Sequence, residues 1–335
     1  DDPTEFYVAY ASGGLWHTNN NGTTFKPVMD NAPTQNIGDI AVDWETNTIW
    51  VGTGENNSSR SSYSGIGILK SSDGGDNWVN IGLNDSHHIG RILINPDNTE
   101  EVLIAVIGHL YSPNQERGIF KTTDGGKTWA NTLFINENTG VIDLVSSPDD
   151  FNVLFAATWE RERKAWNFDG SGENSGIYKS TDGGINWTKI TSNNGFPSGE
   201  GLGRIGLAVN TNDELYAILD NQFRREKEKE DGDKVVLLKK EDFQSMSAKE
   251  FLNLEADLLD SFLKDNGFPK KYDAEVVKKM VEDGKITPVD LANYLIDANS
   301  LLFDTPVIGA EVYKSVNGGE SWSKTHDDFL DGLVN

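Results

Sequence analysis

An eight-residue turn that ends in a large aromatic recurs along the chain, and this recurrence limits the fold more than any other feature. "SSDGGDNW" begins at Ser71, "TTDGGKTW" at Thr122, "STDGGINW" at Ser180 and "SVNGGESW" at Ser315, with a divergent copy, "TNNNGTTF", at Thr18. The closing aromatics are Phe25, Trp78, Trp129, Trp187 and Trp322, spaced by 53, 51, 58 and 135 residues. Similar steps near fifty define an internal repeat, and the last step carries roughly 80 extra residues.

Each unit reads as four strands. "IGDIAVDW", "IGRILINP", "GVIDLVSSP" and "LGRIGLAVN" open the units. "TIWVGTG", "EVLIAVIG", "NVLFAATW" and "ELYAILD" follow as second strands. "GIGILKS", "RGIFKTT", "SGIYKST" and "AEVYKSV" then run into the repeated turn, and a short strand such as "WTKI" follows the aromatic. Short strands repeated in this way, in a chain with 34 glycines to supply the turns, indicate an all-β fold of four-stranded antiparallel propeller blades.

The turn has a mechanical reading. Its Asp accepts N–H groups of its own backbone, and its glycines take conformations other residues resist. The first hydroxyl is expected to tie the turn to the neighbouring strand, and the Trp to bury its flat surface against the next repeat. Asn20, Asp73, Asp124, Asp182 and Asn317 are therefore structural positions.

The pattern Ser/Thr-x-Asp-x-Gly-x-Thr-Trp resembles the Asp box, or bacterial neuraminidase repeat. The wider phrases "ASGGLWHTNNNGTTF", "VGTGENN", "RGIFKTTDGGKTW" and "SGIYKSTDGGINW" look like the sortilin-type propeller family, and more closely its large exported bacterial relatives, which carry a glycosyl hydrolase label on repeat similarity. This resemblance covers nearly the whole chain and implies a secreted or cell-surface β-propeller; it specifies fold rather than activity. "FYVAY" aligns with second strands, so the first blade is expected to be incomplete, and the chain to be part of a larger propeller or of a longer parent chain.

The formal charge of −24 disfavours nucleic acid and anionic membranes as partners. No apolar run reaches the length of a membrane span. With no cysteine, disulfides, thiolate metal sites and cysteine nucleophiles are excluded. Histidine is sparse and the pair His87–His88 is adjacent, so no metal or cofactor is expected, although so acidic a surface is compatible with divalent cations.

The turns between strands three and four mark one end of each blade. The loops between strands two and three, with the starts of strand one, mark the other, and these variable loops are where function is expected. They hold Glu55, Arg60, His109, Arg117, Trp159, Arg161, Arg163, Trp166 and Arg224; the strand-one starts add His88, Arg91 and Arg204. Arginine forks and aromatic platforms suit an oxygen-rich ligand, whether protein, peptide or glycan. Equally, these arginines can pair with neighbouring acids and tie blades together. The alternative is a glycoside hydrolase or lyase using carboxylates at the same end, for which Glu55, Glu116, Glu160, Glu162 and Asp220 are candidates. No Phe-Arg-Ile-Pro start of a sialidase is present.

The composition changes between about residues 223 and 305. Ser247 with Glu250 forms a capping box before "FLNLEADLLDSFLK", read as one helix with Phe251, Leu254, Leu258 and Phe262 on a face. Asp273 opens a second helix, and Thr287-Pro288 opens a third, "VDLANYLIDAN". The expected organisation is thus 1–222 as blades, 223–305 as a helical insertion in a strand two–three loop, and 306–335 as the completion of the last blade with the fifth box.

Overall fold

The computed structural model describes residues 2–192, 194–225, 238–240, 242–294 and 307–326. They fall into two compact units, one within Asp1–Phe223 and Val307–Asn335, the other within Arg224–Pro306.

The first unit is a series of antiparallel sheets. β1 (Phe6–Tyr10), β2 (Gly14–Thr18) and β3 (Lys26–Pro27) form a three-stranded sheet. Four-stranded blades follow: β4 (Ile37–Asp43), β5 (Thr48–Thr53), β6 (Ile68–Ser71) and β7 (Val79–Asn80), then β8 (Ile89–Ile94), β9 (Val102–Val106), β10 (Gly118–Thr122) and β11 (Ala130–Leu133). In the next blade β12 (Thr139–Ser146) and β13 (Leu154–Glu160) precede a small hairpin, β14 (Glu162–Arg163) with β15 (Phe168–Asp169), before β16 (Gly176–Ser180) and β17 (Thr188–Lys189). The last blade comprises β18 (Leu202–Val209), β19 (Leu215–Arg224), β20 (Val307–Ser315) and β21 (Ser323–Lys324). The first strands β4, β8, β12 and β18 lie side by side in succession. Each breaks register once near its start, as at Ile89/Arg91.

Apolar side chains gather between blades. Trp50 and Ile68 of one blade pack with Ile92, Val102, Ile104 and Val106 of the next. Phe155, Ala157 and Ile177 pack likewise with Ile205, Leu215, Ala217 and Leu219. A blade is apolar on both faces, so it is stable only between neighbours.

Every repeated turn closes in the same way. In the second blade the Ser71 hydroxyl donates to Asp73 Oδ1 (2.8 Å) and accepts the Gly75 N–H (2.9 Å), while Asp73 accepts from both the backbone and the side-chain amide of Asn77. The first hydroxyl thus ties the turn to itself, not to a neighbouring strand. The first glycine reaches across its own blade: Gly74 N–H donates to Asn47 O and Gly125 N–H to Glu100 O. These bonds hold the Asp73, Asp124 and Asp182 carboxyls down at about 2. Because the folded value is lowered, their contribution is present above the unfolded carboxylate range and lost as pH falls toward 2. In the two Asn copies the final contact reverses, with Asn20 Nδ2 donating to Thr24 Oγ1 and Asn317 Nδ2 to Ser321 Oγ.

The tryptophans reach the preceding blade, not the following one. Trp78 Nε1 donates to Val28 O, Trp129 Nε1 to Ile81 O and Trp322 Nε1 to Ile190 O. Trp78, Trp129 and Trp187 are half-buried and Trp322 is buried. In the opposite direction, Lys70 Nζ donates to Gly125 O and Lys121 Nζ to Gly183 O in the following blade. Gly126 has φ +91°, and a Cβ there would stand 2.6 Å from Ile81 Cδ1, so only glycine permits this approach.

The second unit has its own core of Phe243, Phe251, Leu259, Phe262, Val277 and Leu291. Its helices are α1 (Asp242–Ser245), α2 (Ala248–Leu252), α3 (Ala256–Asp265), α4 (Ala274–Glu282) and α5 (Pro288–Tyr294). Ser247 and Glu250 form the expected capping box. The segment after it is two helices rather than one. The Asn253 N–H already closes α2, and the break resets the helical phase, so Leu259 and Leu263 join Phe262 inside while Leu258 is only partly covered. The remainder of "VDLANYLIDAN" beyond Tyr294 lies outside the described residues.

Trp129→Ala is expected to destabilise the protein by about 2–3 kcal/mol in urea unfolding, below the ~3–5 kcal/mol of a fully enclosed aromatic. A loss under about 1 kcal/mol would mean that the indole does not hold the blades together.

Candidate functional site

β10 decides which residues share an end. Arg117 immediately precedes this strand and Asp124 follows it, so the box and the strand two–three loop lie at opposite ends of the blade. The β9–β10 loop, the β5–β6 loop and the β14–β15 hairpin all occupy the end away from the boxes.

Five of the sequence candidates turn inward. Arg117 is 1% exposed and Arg161 3%. Arg117 donates to the carbonyls of Ile107, His109 and Ser112, and Arg161 to those of Leu110 and Gly108 in the preceding blade. Burial pushes these guanidiniums down to about 10 and about 9. They serve as cationic plugs for carbonyls at the strand ends and do not present forks to solvent. His88 is also buried: its Nδ1 lies 2.7 Å from Glu55 O, and burial pushes the ring down to about 4, with the Arg161 charge adding to that shift. Trp159 is buried too, its Nε1 donating to Gly170 O, and Glu55 is largely covered.

Arg91 is consumed in a cross-blade ladder that the sequence reading overlooked. Asp39, Arg91, Asp143 and Arg204 occupy matching positions on four successive first strands, with alternating charge. Arg91 donates twice to Asp143 Oδ1, at 2.9 and 3.0 Å, and lies 3.7 Å from Asp39 Oδ1. Asp39 also accepts the Ile92 N–H, and Asp143 the Leu207 N–H. The signal was present in "IGD", "IGR", "VID" and "LGR", but only strand adjacency reveals the alternation. Arg204 makes no ion pair among the described residues; it is exposed beside the Trp159 ring, 5.8 Å from its centroid.

Other candidates meet at the surface. Tyr111 donates its hydroxyl to Arg60 O (2.7 Å), and Arg163 Nε donates to Ser58 O (2.9 Å). Arg163 also lies 4.0 Å over the Phe168 ring. Loops of three successive blades thus join around Ser58–Arg60. Each of these loops also carries an exposed aromatic, Tyr63, Tyr111 and Trp166, 60%, 53% and 84% exposed. Tyr10 occupies the same connection in the first sheet and lines a hollow of about 240 Å³ with Asp39, Glu55, Asn56 and Asn57. Arg224 ends β19 and falls in the second unit.

Among the hydrolase candidates, Glu160 is occupied by the Asn174 backbone and side-chain amides, and Glu162 pairs with Lys164. Burial raises Glu116 and Asp220 above the usual carboxylate range. Among the described residues, Asp85, His87 and His109 also converge, although they come from two different loops and were not expected to meet.

The fold and this end of the blades define a β-propeller of Asp-box blades with an elaborated strand two–three face. The profile of the family described as "Sortilin, neurotensin receptor 3" matches residues 67–268, and the chain belongs to that family. Among solved structures, the chain is similar to the GH74 xyloglucanase from Xanthomonas campestris, at 14% identity and a TM-score of 0.53, over 98% of this chain and 37% of that one. It is also similar to the GH74 enzyme of Niastella koreensis, at 19% identity and a TM-score of 0.51, over 96% and 36%. The chain therefore spans little more than a third of the length of these neighbours. No curated protein matches it. Among the described residues, no helix is long and apolar enough to cross a membrane.

Arg91→Ala removes the cation between two largely buried carboxylates and is expected to cost about 2 kcal/mol at pH 7, less than the ~3–5 kcal/mol for a fully buried pair. Burial already raises Asp39 in the folded protein, and losing Arg91 raises it further. A raised folded value gives stability that is present at low pH and lost as pH rises through it. The deficit of the variant should therefore shrink between pH 7 and pH 4.5 in parallel denaturant titrations; a deficit that grows on acidification would contradict the ladder.

Proposed function

We propose that the chain is an exported, ligand-binding propeller module whose strand two–three face holds an extended polar chain, peptide or glycan, without turning it over. The observation that carries this reading is the junction at Ser58–Arg60. Loops of three blades are bonded there, and each contributes an exposed aromatic: Tyr63, Tyr111 and Trp166. Exposed rings that are not needed for a core form platforms for sugar rings or for peptide side chains. Arg60 and Arg163 supply local positive charge on a protein of net charge −24, which favours ligands bearing carboxylate or sulfate groups.

The named relatives fit either ligand class. One is called a neurotensin receptor and another a xyloglucanase. Binding is favoured over hydrolysis because Glu160 and Glu162 are committed to contacts within their own hairpin and loop.

Calorimetric titration with xyloglucan oligosaccharides and with an acidic, tyrosine-containing peptide tests the reading. Saturable binding to one of them is expected, and Trp166→Ala and Tyr111→Ala should each weaken it by up to about tenfold, the scale of one lost stacking contact. Steady release of shorter sugars would favour the hydrolase, and binding untouched by both variants would place the ligand elsewhere.

A further inference from the structure

We propose that Asp85, His87 and His109 form a site for a borderline divalent metal ion of the zinc class, with Glu116 beside it as an additional oxygen donor. One ligand atom from each of the first three lies within 4.8 Å of the others. Two imidazole nitrogens and one carboxylate oxygen suit zinc, cobalt or nickel better than calcium or magnesium, which prefer all-oxygen shells. Three protein ligands also leave a coordination position open to water or an outside ligand.

The cluster is built rather than incidental. His109 Nδ1 is engaged by Ser112 Oγ at 2.8 Å, which leaves Nε2 facing Asp85 Oδ1 at 3.0 Å. A hydrogen bond on the far ring nitrogen is the usual means of aiming a metal-binding imidazole. The two loops are stapled by one side chain: Asn114 accepts the His109 N–H (3.0 Å) and donates to Asp85 O (2.7 Å). Glu116 accepts the Asp85 N–H at 2.9 Å, which sets a second carboxylate next to the first. His109 O is held from beneath by Arg117. His87 is fixed through its backbone, with a left-handed φ of 54° and its carbonyl accepting the Gly65 N–H.

The His87 and His109 rings stack with centroids 3.7 Å apart and planes 20° apart. A shared ion needs both in-plane lone pairs to converge, so one ring, His87, turns about its side-chain bonds while its backbone stays in place. The carboxylates of Asp85 and Glu116 offset the Arg117 charge below, which is already engaged by carbonyl oxygens.

The test uses the full chain without a histidine tag. Zinc is titrated against a chromogenic chelator, and cobalt is added separately to record its visible ligand-field spectrum. One tight equivalent and a spectrum of low-coordinate cobalt are expected. His87→Gln and His109→Gln should each weaken zinc binding at least about tenfold, and Ser112→Ala should weaken it less, within the roughly 10–100-fold range of such supporting contacts. His17→Gln, in a different sheet, should change nothing. Circular dichroism identifies any variant that fails to fold; if His109→Gln does, His87→Gln and Ser112→Ala decide. Absence of a stoichiometric equivalent, equal loss in His17→Gln, or unchanged affinity in His87→Gln would overturn the site.

Discussion

The seam between successive blades is the constraint on which the rest of the structure depends. A four-stranded sheet with two apolar faces cannot stand in water alone. Here the repeated turn fixes the three seams after the first in both directions. Its tryptophan donates backward to the residue just past the last strand of the preceding blade, as Trp129 does to Ile81 O, and its glycine carbonyl accepts a lysine from that same blade, as Gly125 O does from Lys70. The Asp or Asn closes the turn so that indole and carbonyl are presented together. A turn of eight residues is therefore repeated because successive seams need the same fastening, by indole at every seam and by lysine as well at the later three.

That fastening sits at one end of the blades and leaves the other end free to vary. Even there, some charged side chains are structural. Arg117 and Arg161 satisfy strand-end carbonyls, and Arg91 ties together three first strands through Asp39 and Asp143. The remaining exposed residues, Arg60, Tyr63, Tyr111 and Trp166, carry the proposed ligand face. Beside them the Asp85–His87–His109 cluster joins the segment entering β8 to the β9–β10 loop at the same end of one blade.

The blades were legible in the sequence because each strand and turn is a local pattern, and the repeat states that pattern several times. The helical insertion was legible through its caps, but not its break at Asn253, because the apolar spacing runs on through a segment whose backbone turns. The site was less legible. Sequence places Arg117, Arg161 and Trp166 in equivalent loops without saying which side chain turns inward; Arg117 is enclosed while Trp166 is open. His87 and His109 are distant along the chain and meet only because the antiparallel pairing of β8 with β9, Ile89 opposite Val106, brings the start of one strand to the end of the other. The Asp39–Arg91–Asp143 alternation was written at matching positions, but it becomes meaningful only once first strands are known to be adjacent.

The central claim is that the box is an inter-blade fastening, not merely a closed turn. Amide hydrogen exchange of Gly126→Ala against the unsubstituted protein tests it most directly, because the added Cβ would collide with Ile81 of the preceding blade. The account predicts that lost protection spreads from the turn into both adjoining blades, reaching Ile68–Ser71 and the segment around Ile81 as well as Gly118–Thr122. Lost protection confined to residues 122–129 would contradict it.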